Sequence, residues 1–147
     1  MNTGDIFRLL AGRCKDTFLG VFPCDRLPAK LPARRPLLLV CNTEPHDKSG
    51  EHWIALCLTG DGHGEYFDSY GLPPKTMFKR FLEENCRKFV WNEMRLQSLI
   101  TAFCGHYCVF YCLFRNLDYS LNSILKCFSD DTTVNDLFVH KFVCNNL

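Results

Sequence analysis

Two apolar runs separated by a glycine-rich turn constrain the fold of this chain more than any other feature. Residues 52–58 read HWIALCL, and residues 65–70 follow them after Thr59–Gly64, a strong turn signal. A third apolar run, Leu37–Cys41, is short enough to be a buried strand. Together these patterns predict a sheet in the middle of the chain that contains a hairpin.

Helical patterns flank the predicted strands on both sides. A short helix with Thr3 as its cap begins the chain, and a proline-rich loop at 23–36 precedes the first strand. We expect a further strand at Phe89–Met94 and four later helices: about 14 residues from near Pro74, then 104–117, 120–128 and 133–144. The order predicts an α+β fold, a central mixed sheet packed with helices, in one domain spanning 1–147.

Composition narrows the functional classes. The 147 residues carry a formal charge of +1, which provides no strong attraction for nucleic acid or acidic membranes. No apolar run is long enough to span a bilayer, and the N-terminus lacks the features of a signal peptide. We therefore expect an intracellular, reducing setting in which most of the ten cysteines are buried free thiols.

A zinc site is the alternative interpretation of the cysteines. The sequence contains no C-x2-C pair, and Cys104, Cys108 and Cys112 are spaced four apart on one predicted helix. Three ligands stacked along one helix face do not reach a single tetrahedral ion. This spacing favours buried thiols, and burial would raise the pKa of the two interior cysteines.

Cys104 is the candidate nucleophile because it opens a predicted helix. Backbone N–H groups and the helix dipole at that position favour the thiolate and lower the thiol pKa. A nucleophilic thiolate needs a base, and His52 followed by Asp68 on the returning strand would supply one oriented by a carboxylate. Gln97 and the backbone N–H of Cys104 are candidate oxyanion donors.

Each of these residues also has an ordinary structural interpretation. A histidine beside a tryptophan is often a satisfied packing residue, and Asp68 before Ser-Tyr-Gly would suit a turn. Cys104 could simply pack at a helix start. We expect Trp53 to pack in the core and His106 to be exposed. The catalytic hypothesis therefore rests on the order of the residues and on the local sequence around them.

That local sequence resembles the adenovirus-type cysteine endopeptidases, the adenain family, whose clan includes the SUMO and NEDD8 proteases. The matching blocks are Thr17–Phe22 with its FLG segment, Val40–Trp53 with its NT and G-x-HW words, YFDSYG at 66–71, Gln97, and AFCGHYCVF at 102–110. Aspartate stands at the acid position, where adenain has glutamate and the SUMO proteases have aspartate. The chain is also shorter than adenain after the nucleophile helix.

The resemblance implies a papain-like catalytic core in the adenain and SUMO-protease topology. Cys104 would be the nucleophile, His52 the general base and acid, Asp68 the orienting acid and Gln97 an oxyanion donor. The implied reaction is cleavage of peptide bonds at small, glycine-containing sites in structural precursor proteins of a virus or virus-like element. The implied location is the host nucleus or cytoplasm and the virion.

The chemistry needs no cofactor, but the resemblance implies two activators, DNA and a peptide that forms a disulfide with the enzyme. Cys86 lies near where the family's peptide-bonding cysteine falls. Two other functions stay open at this point. One is removal of ubiquitin or SUMO from host proteins, which the YFDSYG sequence favours. The other is a binding module that kept the fold and lost turnover.

Overall fold

The computed structural model describes residues 1–146; Leu147 lies outside the described residues. Five strands and five helices alternate unevenly along the chain. Their bounds are α1 Thr3–Arg13, β1 Phe18–Pro23, β2 Leu37–Asn42, β3 Trp53–Leu58, β4 His63–Phe67, α2 Thr76–Asn85, β5 Lys88–Trp91, α3 Cys104–Asn116, α4 Leu121–Leu125 and α5 Thr132–Asn145. The predicted α+β fold is confirmed.

The strands form one mixed sheet in the order β1-β2-β3-β4-β5, which is also their order along the chain. The two outer pairs, β1–β2 and β4–β5, are parallel, whereas β3 is antiparallel to both of its neighbours. The apolar run at 18–22, which has no strand assignment in the sequence prediction, forms most of the edge strand β1. The long loop 24–36 carries the chain from β1 to its parallel neighbour β2.

The sheet is buried on both faces, which explains why its central strands read as continuous apolar runs. On β2, Leu38 and Val40 face one core together with residues of α1, α3 and α5. The alternate residues Leu37, Leu39 and Cys41 face a second core closed by α2. All five side chains are fully buried. This two-sided burial holds β3, and the residues at its ends, in a fixed position.

The helix α3 lies in the first core and is buried on almost all sides. Tyr107, Cys108, Phe110, Tyr111 and Cys112 have no exposed surface. The interior cysteines therefore act as small apolar side chains, as predicted. Burial raises the pKa of both interior thiols well above the ordinary cysteine value. No helix among residues 1–146 has the length and apolarity needed to cross a membrane.

Several predicted boundaries were wrong, each for a local reason. The first helix is capped by Asn2, whose side chain forms a reciprocal capping box with Asp5, and not by Thr3. The helix α2 has 10 residues and starts at Thr76, because the two preceding prolines keep the chain extended up to Lys75. The sequence predicts Thr132 or Thr133 as the cap of the last helix, but the cap is Asp131, whose carboxylate accepts two backbone N–H groups.

The last pair in the β3–β4 ladder is Ala55 with Phe67. The strand β4 also ends at Phe67, earlier than predicted. Asp68 ends it because its carboxylate accepts the N–H of Tyr70 at 2.8 Å and its carbonyl accepts the N–H of Gly71 at 2.8 Å. This turn, stabilised by an aspartate, points the Asp68 side chain toward the start of β3.

Candidate active site

Cys104 is the first residue of α3 and only 8% of its surface is exposed. Burial by itself raises the pKa of the thiol. The interaction with His52 and the backbone N–H groups of Trp53 and Gly105 outweigh burial, so the pKa lies below the ordinary cysteine value. Charge stabilisation at this helix start therefore favours the thiolate, which is the nucleophilic form.

His52 lies directly before β3 and connects Cys104 to the acid. Its Nε2 atom is 2.7 Å from the Oδ1 atom of Asp68. Because a carboxylate only accepts, this hydrogen bond places a proton on Nε2. The other ring nitrogen, Nδ1, is buried and has no hydrogen-bond partner of normal geometry among the described residues. It is therefore the nitrogen available for exchanging a proton with a reacting group.

The electrostatics of the imidazole match this arrangement. Burial lowers the pKa of His52, but the hydrogen bond to Asp68 and the interaction with the Cys104 thiolate more than compensate, raising the pKa to about 9. The pKa of Cys104 moves in the opposite direction. Opposite shifts in adjacent groups favour a thiolate–imidazolium pair at neutral pH, although the two titrations belong to the pair as a unit.

Asp68 is held in place by a residue that sequence reasoning missed. Asn92, just after β5, accepts the Asp68 N–H at 2.9 Å and donates from Nδ2 to the Asp68 carbonyl at 2.6 Å. Both residues are almost fully buried. The signal was weak because Asn92 is 24 positions away in sequence and has no motif of its own.

Tyr70 is the second residue that the sequence prediction missed. Its ring stacks on the imidazole of His52 with centroids 4.7 Å apart and an interplanar angle of 25°. The phenol ring therefore covers one face of the imidazole. The turn after β4 explains the contact, since the Asp68 carboxylate accepts the Tyr70 N–H at 2.8 Å as well as the His52 ring N–H.

A cleft of about 440 Å³ opens at Cys104. Its walls come from the N-terminal segment, the end of β1 and the β2–β3 loop, and include Met1, Gly50 and Trp53. Trp53 was predicted to pack in the core. Its ring does touch the core but also lines the cleft, where its indole N–H donates to the Met1 carbonyl at 3.2 Å.

Gln97 lies in the loop before Cys104 but is fully buried and is not among the residues that line this cleft. Its Nε2 donates to the Thr101 carbonyl at 2.9 Å, and its Oε1 accepts the Ser69 hydroxyl at 2.6 Å. The side chain therefore ties the loop to the residue that follows Asp68. Its role as an oxyanion donor stays a prediction.

His106, the histidine on α3, was predicted to be exposed, and this prediction was wrong. His106 is partly buried, with its Nδ1 atom unpaired, because Phe103 and His140 pack against its ring at centroid distances of 5.0 and 5.3 Å. Burial, then His140, lowers its pKa to about 4. His106 is thus a neutral packing residue on a different side of α3 from the candidate nucleophile.

The other cysteines form no disulfide among residues 1–146. Cys86 follows α2, is half-buried, and has a pKa raised by burial. An added Cβ on Gly64 would lie 2.7 Å from its Sγ, which places Cys86 at the beginning of β4, the opposite end from Asp68. Its disulfide with an activating peptide stays a prediction. No group of three or more histidine, cysteine or acidic side chains within 1–146 is arranged to hold a metal ion.

A helix-start thiol beside a histidine that is hydrogen-bonded to a carboxylate is an arrangement that cysteine proteases use. No family model matches the chain. Among curated proteins, the chain is similar to the protease of bovine adenovirus 7, at 27% identity covering 84% of this chain and 68% of the relative. The protease of bovine adenovirus 4 is 29% identical, covering 74% of this chain and 62% of the relative.

The chain is also similar to solved structures of a viral protease and of a bacterial protein. One crystal structure of the ASFV pS273R protease is 25% identical with a TM-score of 0.54, covering 72% of this chain and 44% of that protein. Another has a TM-score of 0.65 at 19% identity, covering 95% and 66% respectively. ChlaDub1 from Chlamydia trachomatis has a TM-score of 0.53 at 16% identity, covering 76% and 58%.

These likenesses confirm the resemblance to the adenovirus proteases and place the chain in the cysteine protease class. The chain spans less than half of one pS273R structure and about two thirds of the curated relatives. The two structures below 25% identity support the fold alone.

Proposed function

We propose that this chain is a cysteine endopeptidase that cleaves peptide bonds at small, glycine-containing sites in viral or virus-like precursor proteins. Cys104 is the nucleophile, His52 the general base and acid, Asp68 the orienting carboxylate and Gln97 an oxyanion donor. The single observation that carries the proposal is the orientation of His52. Its Nε2 is fixed on Asp68 at 2.7 Å, while its buried Nδ1 has no hydrogen-bond partner of normal geometry in the described part of the chain and lies beside a thiol whose pKa is lowered.

The first half of the reaction forms an acyl-enzyme. The Cys104 thiolate attacks the carbonyl carbon of the scissile bond, and the carbonyl oxygen becomes an oxyanion. Backbone N–H groups at the start of α3 stabilise that charge. As the tetrahedral intermediate collapses, the His52 imidazolium gives its Nδ1 proton to the departing amine, and a thioester on Cys104 remains.

The second half releases the acid product. A water molecule attacks the thioester carbonyl while the Nδ1 atom of neutral His52 takes its proton. Collapse of this second intermediate expels the Cys104 thiolate, the carboxylic acid leaves, and the thiolate–imidazolium pair is restored. Asp68 accepts from Nε2–H throughout, so it holds the ring orientation and stabilises the imidazolium without exchanging a proton.

The substrate class rests on the relatives. Both curated relatives are named as proteases of bovine adenoviruses, which supports precursor proteins as substrates inside an infected cell or a virion. The preference for small residues, the activating peptide at Cys86 and the stimulation by DNA come from the family resemblance. The near-neutral charge of the chain offers the DNA activator no general electrostatic support.

The experiment compares wild-type protein with Cys104→Ser on two fluorogenic substrates, a precursor-type peptide with glycine before the scissile bond and a ubiquitin C-terminal conjugate. The proposal expects peptide cleavage by the wild type and none by the variant. Cys127→Ser, which alters an exposed thiol far along the chain, is the matched control and should cleave normally. Equal cleavage by Cys104→Ser and wild type would refute the assignment of the nucleophile.

Removal of ubiquitin-like modifiers is the second candidate. Asp68 favours it, since the acid position holds aspartate in the SUMO-protease branch and glutamate in adenain. Preferential cleavage of the ubiquitin conjugate over the peptide would replace the first proposal with this one. Absence of cleavage of either substrate, with Cys104 no more reactive than the exposed thiols, would indicate a binding module on the same fold.

A further inference from the structure

Asp136 on α5 is a buried carboxylate that the catalytic proposal does not use. Only 2% of its surface is exposed. Within residues 1–146 no lysine, arginine or histidine lies within ion-pair distance of it. A buried charge without a cation is costly unless hydrogen bonds replace its lost hydration, so its retention needs a local reason.

Three donors surround the carboxylate. The Tyr107 hydroxyl donates to Oδ1 at 2.7 Å, and the Thr101 hydroxyl donates to Oδ2 at 2.9 Å. The backbone N–H of Ser98 lies 3.3 and 3.4 Å from the two oxygens. Tyr107 belongs to the nucleophile helix, whereas Ser98 and Thr101 belong to the loop between Gln97 and Cys104. One carboxylate therefore ties the helix and the loop together.

The same loop carries the other contacts of Gln97. The Thr101 carbonyl accepts the Gln97 Nε2 donor at 2.9 Å, and the Thr101 hydroxyl is 3.3 Å from the same atom. Between these anchor points the loop is open to solvent, with Leu99 70% and Ile100 94% exposed. The Thr101 hydroxyl makes its shortest contact with Asp136, at 2.9 Å, and lies 3.3 Å from the Ser98 carbonyl. Thr101 in turn sets the direction of the Gln97 amide.

We propose that Asp136 is a positioning residue. It holds the Gln97–Phe103 loop, and with it the Gln97 amide, in a fixed position relative to Cys104. The inference rests on the proposed function for its catalytic consequence, although the positioning itself is a property of the fold. Asp136 touches no reacting atom. It acts through Thr101 and Ser98, so its loss should affect the step that forms an oxyanion and spare the step that forms the thiolate.

The closest test is a matched pair at the loop. Thr101→Val removes the hydroxyl that donates to Asp136 and keeps the side-chain volume, whereas Thr101→Ser keeps the hydroxyl. We expect Thr101→Val to lower kcat on the peptide substrate about tenfold to a hundredfold, with KM within about twofold, as a misplaced catalytic group does. Thr101→Ser should retain most of the wild-type kcat.

A second pair tests the carboxylate directly. Asp136→Asn offers only one acceptor oxygen to three donors and should lower kcat in the same range as Thr101→Val. Asp131→Asn is the control, because it makes the same chemical change at an exposed capping position on the same helix where asparagine also caps well. Alkylation of Cys104 by iodoacetamide, which forms no oxyanion, should stay within about twofold of wild type in all four variants.

The outcomes separate the two proposals. Unchanged kcat in both Thr101→Val and Asp136→Asn would overturn the inference, and so would a parallel fall in kcat and in Cys104 alkylation, which would indicate a purely structural role. If wild-type protein has no peptidase activity, the proposed function fails. Hydrogen exchange then tests the positioning alone: Asp136→Asn should speed exchange at the Ser98 amide, and unchanged protection would overturn it.

Discussion

The hydrogen bond between His52 Nε2 and Asp68 Oδ1, at 2.7 Å, leaves the opposite ring nitrogen buried and, within residues 1–146, without a hydrogen-bond partner of normal geometry. An unpaired buried polar atom costs about 1–3 kcal/mol. The cost is understandable if Nδ1 must be free to exchange a proton with a substrate held at Cys104. This orientation therefore links the fold to the proposed chemistry.

The role of His52 as the base for Cys104 can be tested by removing its side chain. His52→Ala should abolish turnover with the fold retained, because among residues 1–146 His52 is the histidine whose interaction lowers the Cys104 pKa. His63→Ala alters the partly exposed histidine that begins β4 and serves as the matched control with normal turnover. Peptide hydrolysis and circular dichroism measure the two properties. Near-normal hydrolysis by the His52 variant would be incompatible with its role as base.

Asp68→Asn should lower kcat by roughly three to four orders of magnitude, because an amide at this position permits the wrong imidazole tautomer. The matched control is Asp61→Asn, an exposed carboxylate in the hairpin turn that also contacts a histidine. Steady-state kinetics on the peptide substrate distinguish them. A loss confined to KM would contradict an orienting role for Asp68.

The pH dependence of Cys104 reactivity follows from the two pKa shifts. Alkylation of Cys104 should have its midpoint below the ordinary cysteine pKa, and His52→Ala should move that midpoint upward. Turnover should also fall on the alkaline side near the His52 pKa of about 9, where the imidazolium is lost. The exposed thiols of Cys127 and Cys144 provide internal references in the same labelling experiment.

The raised pKa of His52 makes the folded state less stable as pH rises, whereas a paired carboxylate makes it less stable as pH falls. The His52 pKa is raised in the folded state from 6.5 to about 9. Its contribution to the free energy of unfolding is therefore complete below about pH 6.5 and disappears as pH rises through about 9. The difference in thermal stability between wild type and His52→Ala should therefore shrink as pH rises through about 9, and a difference that grows there would contradict the assigned shift.

Asn92→Ala should destabilise the fold and impair catalysis together. It leaves the Asp68 N–H without its partner and the Asp68 carbonyl with only the Gly71 N–H, and a buried unpaired group costs about 1–3 kcal/mol. Asn122→Ala, an exposed amide on α4, is the control and should change stability by less than about 0.5 kcal/mol. Urea unfolding measures both. An Asn92→Ala protein as stable as wild type would show that these two bonds are dispensable.

Gly71→Ala should destabilise the turn that presents Asp68. Its φ is +72°, and an added Cβ would lie 2.7 Å from the Met94 carbonyl carbon, which is backbone and does not yield easily. We expect a loss of more than about 1 kcal/mol. Gly12→Ala is the matched control, because nothing lies within 4 Å of its added Cβ and the helix gains up to about 1 kcal/mol. Equal stability of the two variants would contradict the strain argument.

The sequence predicted the fold class because local patterns carry it. Alternation of apolar strands with a glycine-rich turn specified the hairpin, and helical spacing specified α1, α3 and α5. The helix starts were less predictable, because consecutive prolines delayed α2 and side chains outside the expected positions capped α1 and α5. These choices depend on single side-chain hydrogen bonds and local φ preferences, which periodicity does not encode.

Some residues of the candidate site could be identified from the sequence and others could not. Cys104, His52 and Asp68 could be identified because each lies in a short sequence motif. Asn92 and Asp136 could not, because each acts on a segment more than 20 positions away through one or two hydrogen bonds. The orientation of Gln97 was also beyond sequence reasoning, since the partners of its amide come from Ser69 and Thr101 in the folded chain.

The most direct test of the central claim is intact-mass labelling with a peptide vinyl sulfone ending in glycine, followed by mapping of the modified cysteine in wild type and His52→Ala. The account predicts a single adduct on Cys104 in the wild type and its loss in the variant. Scattered adducts over several of the ten cysteines, indifferent to the His52 change, would contradict it.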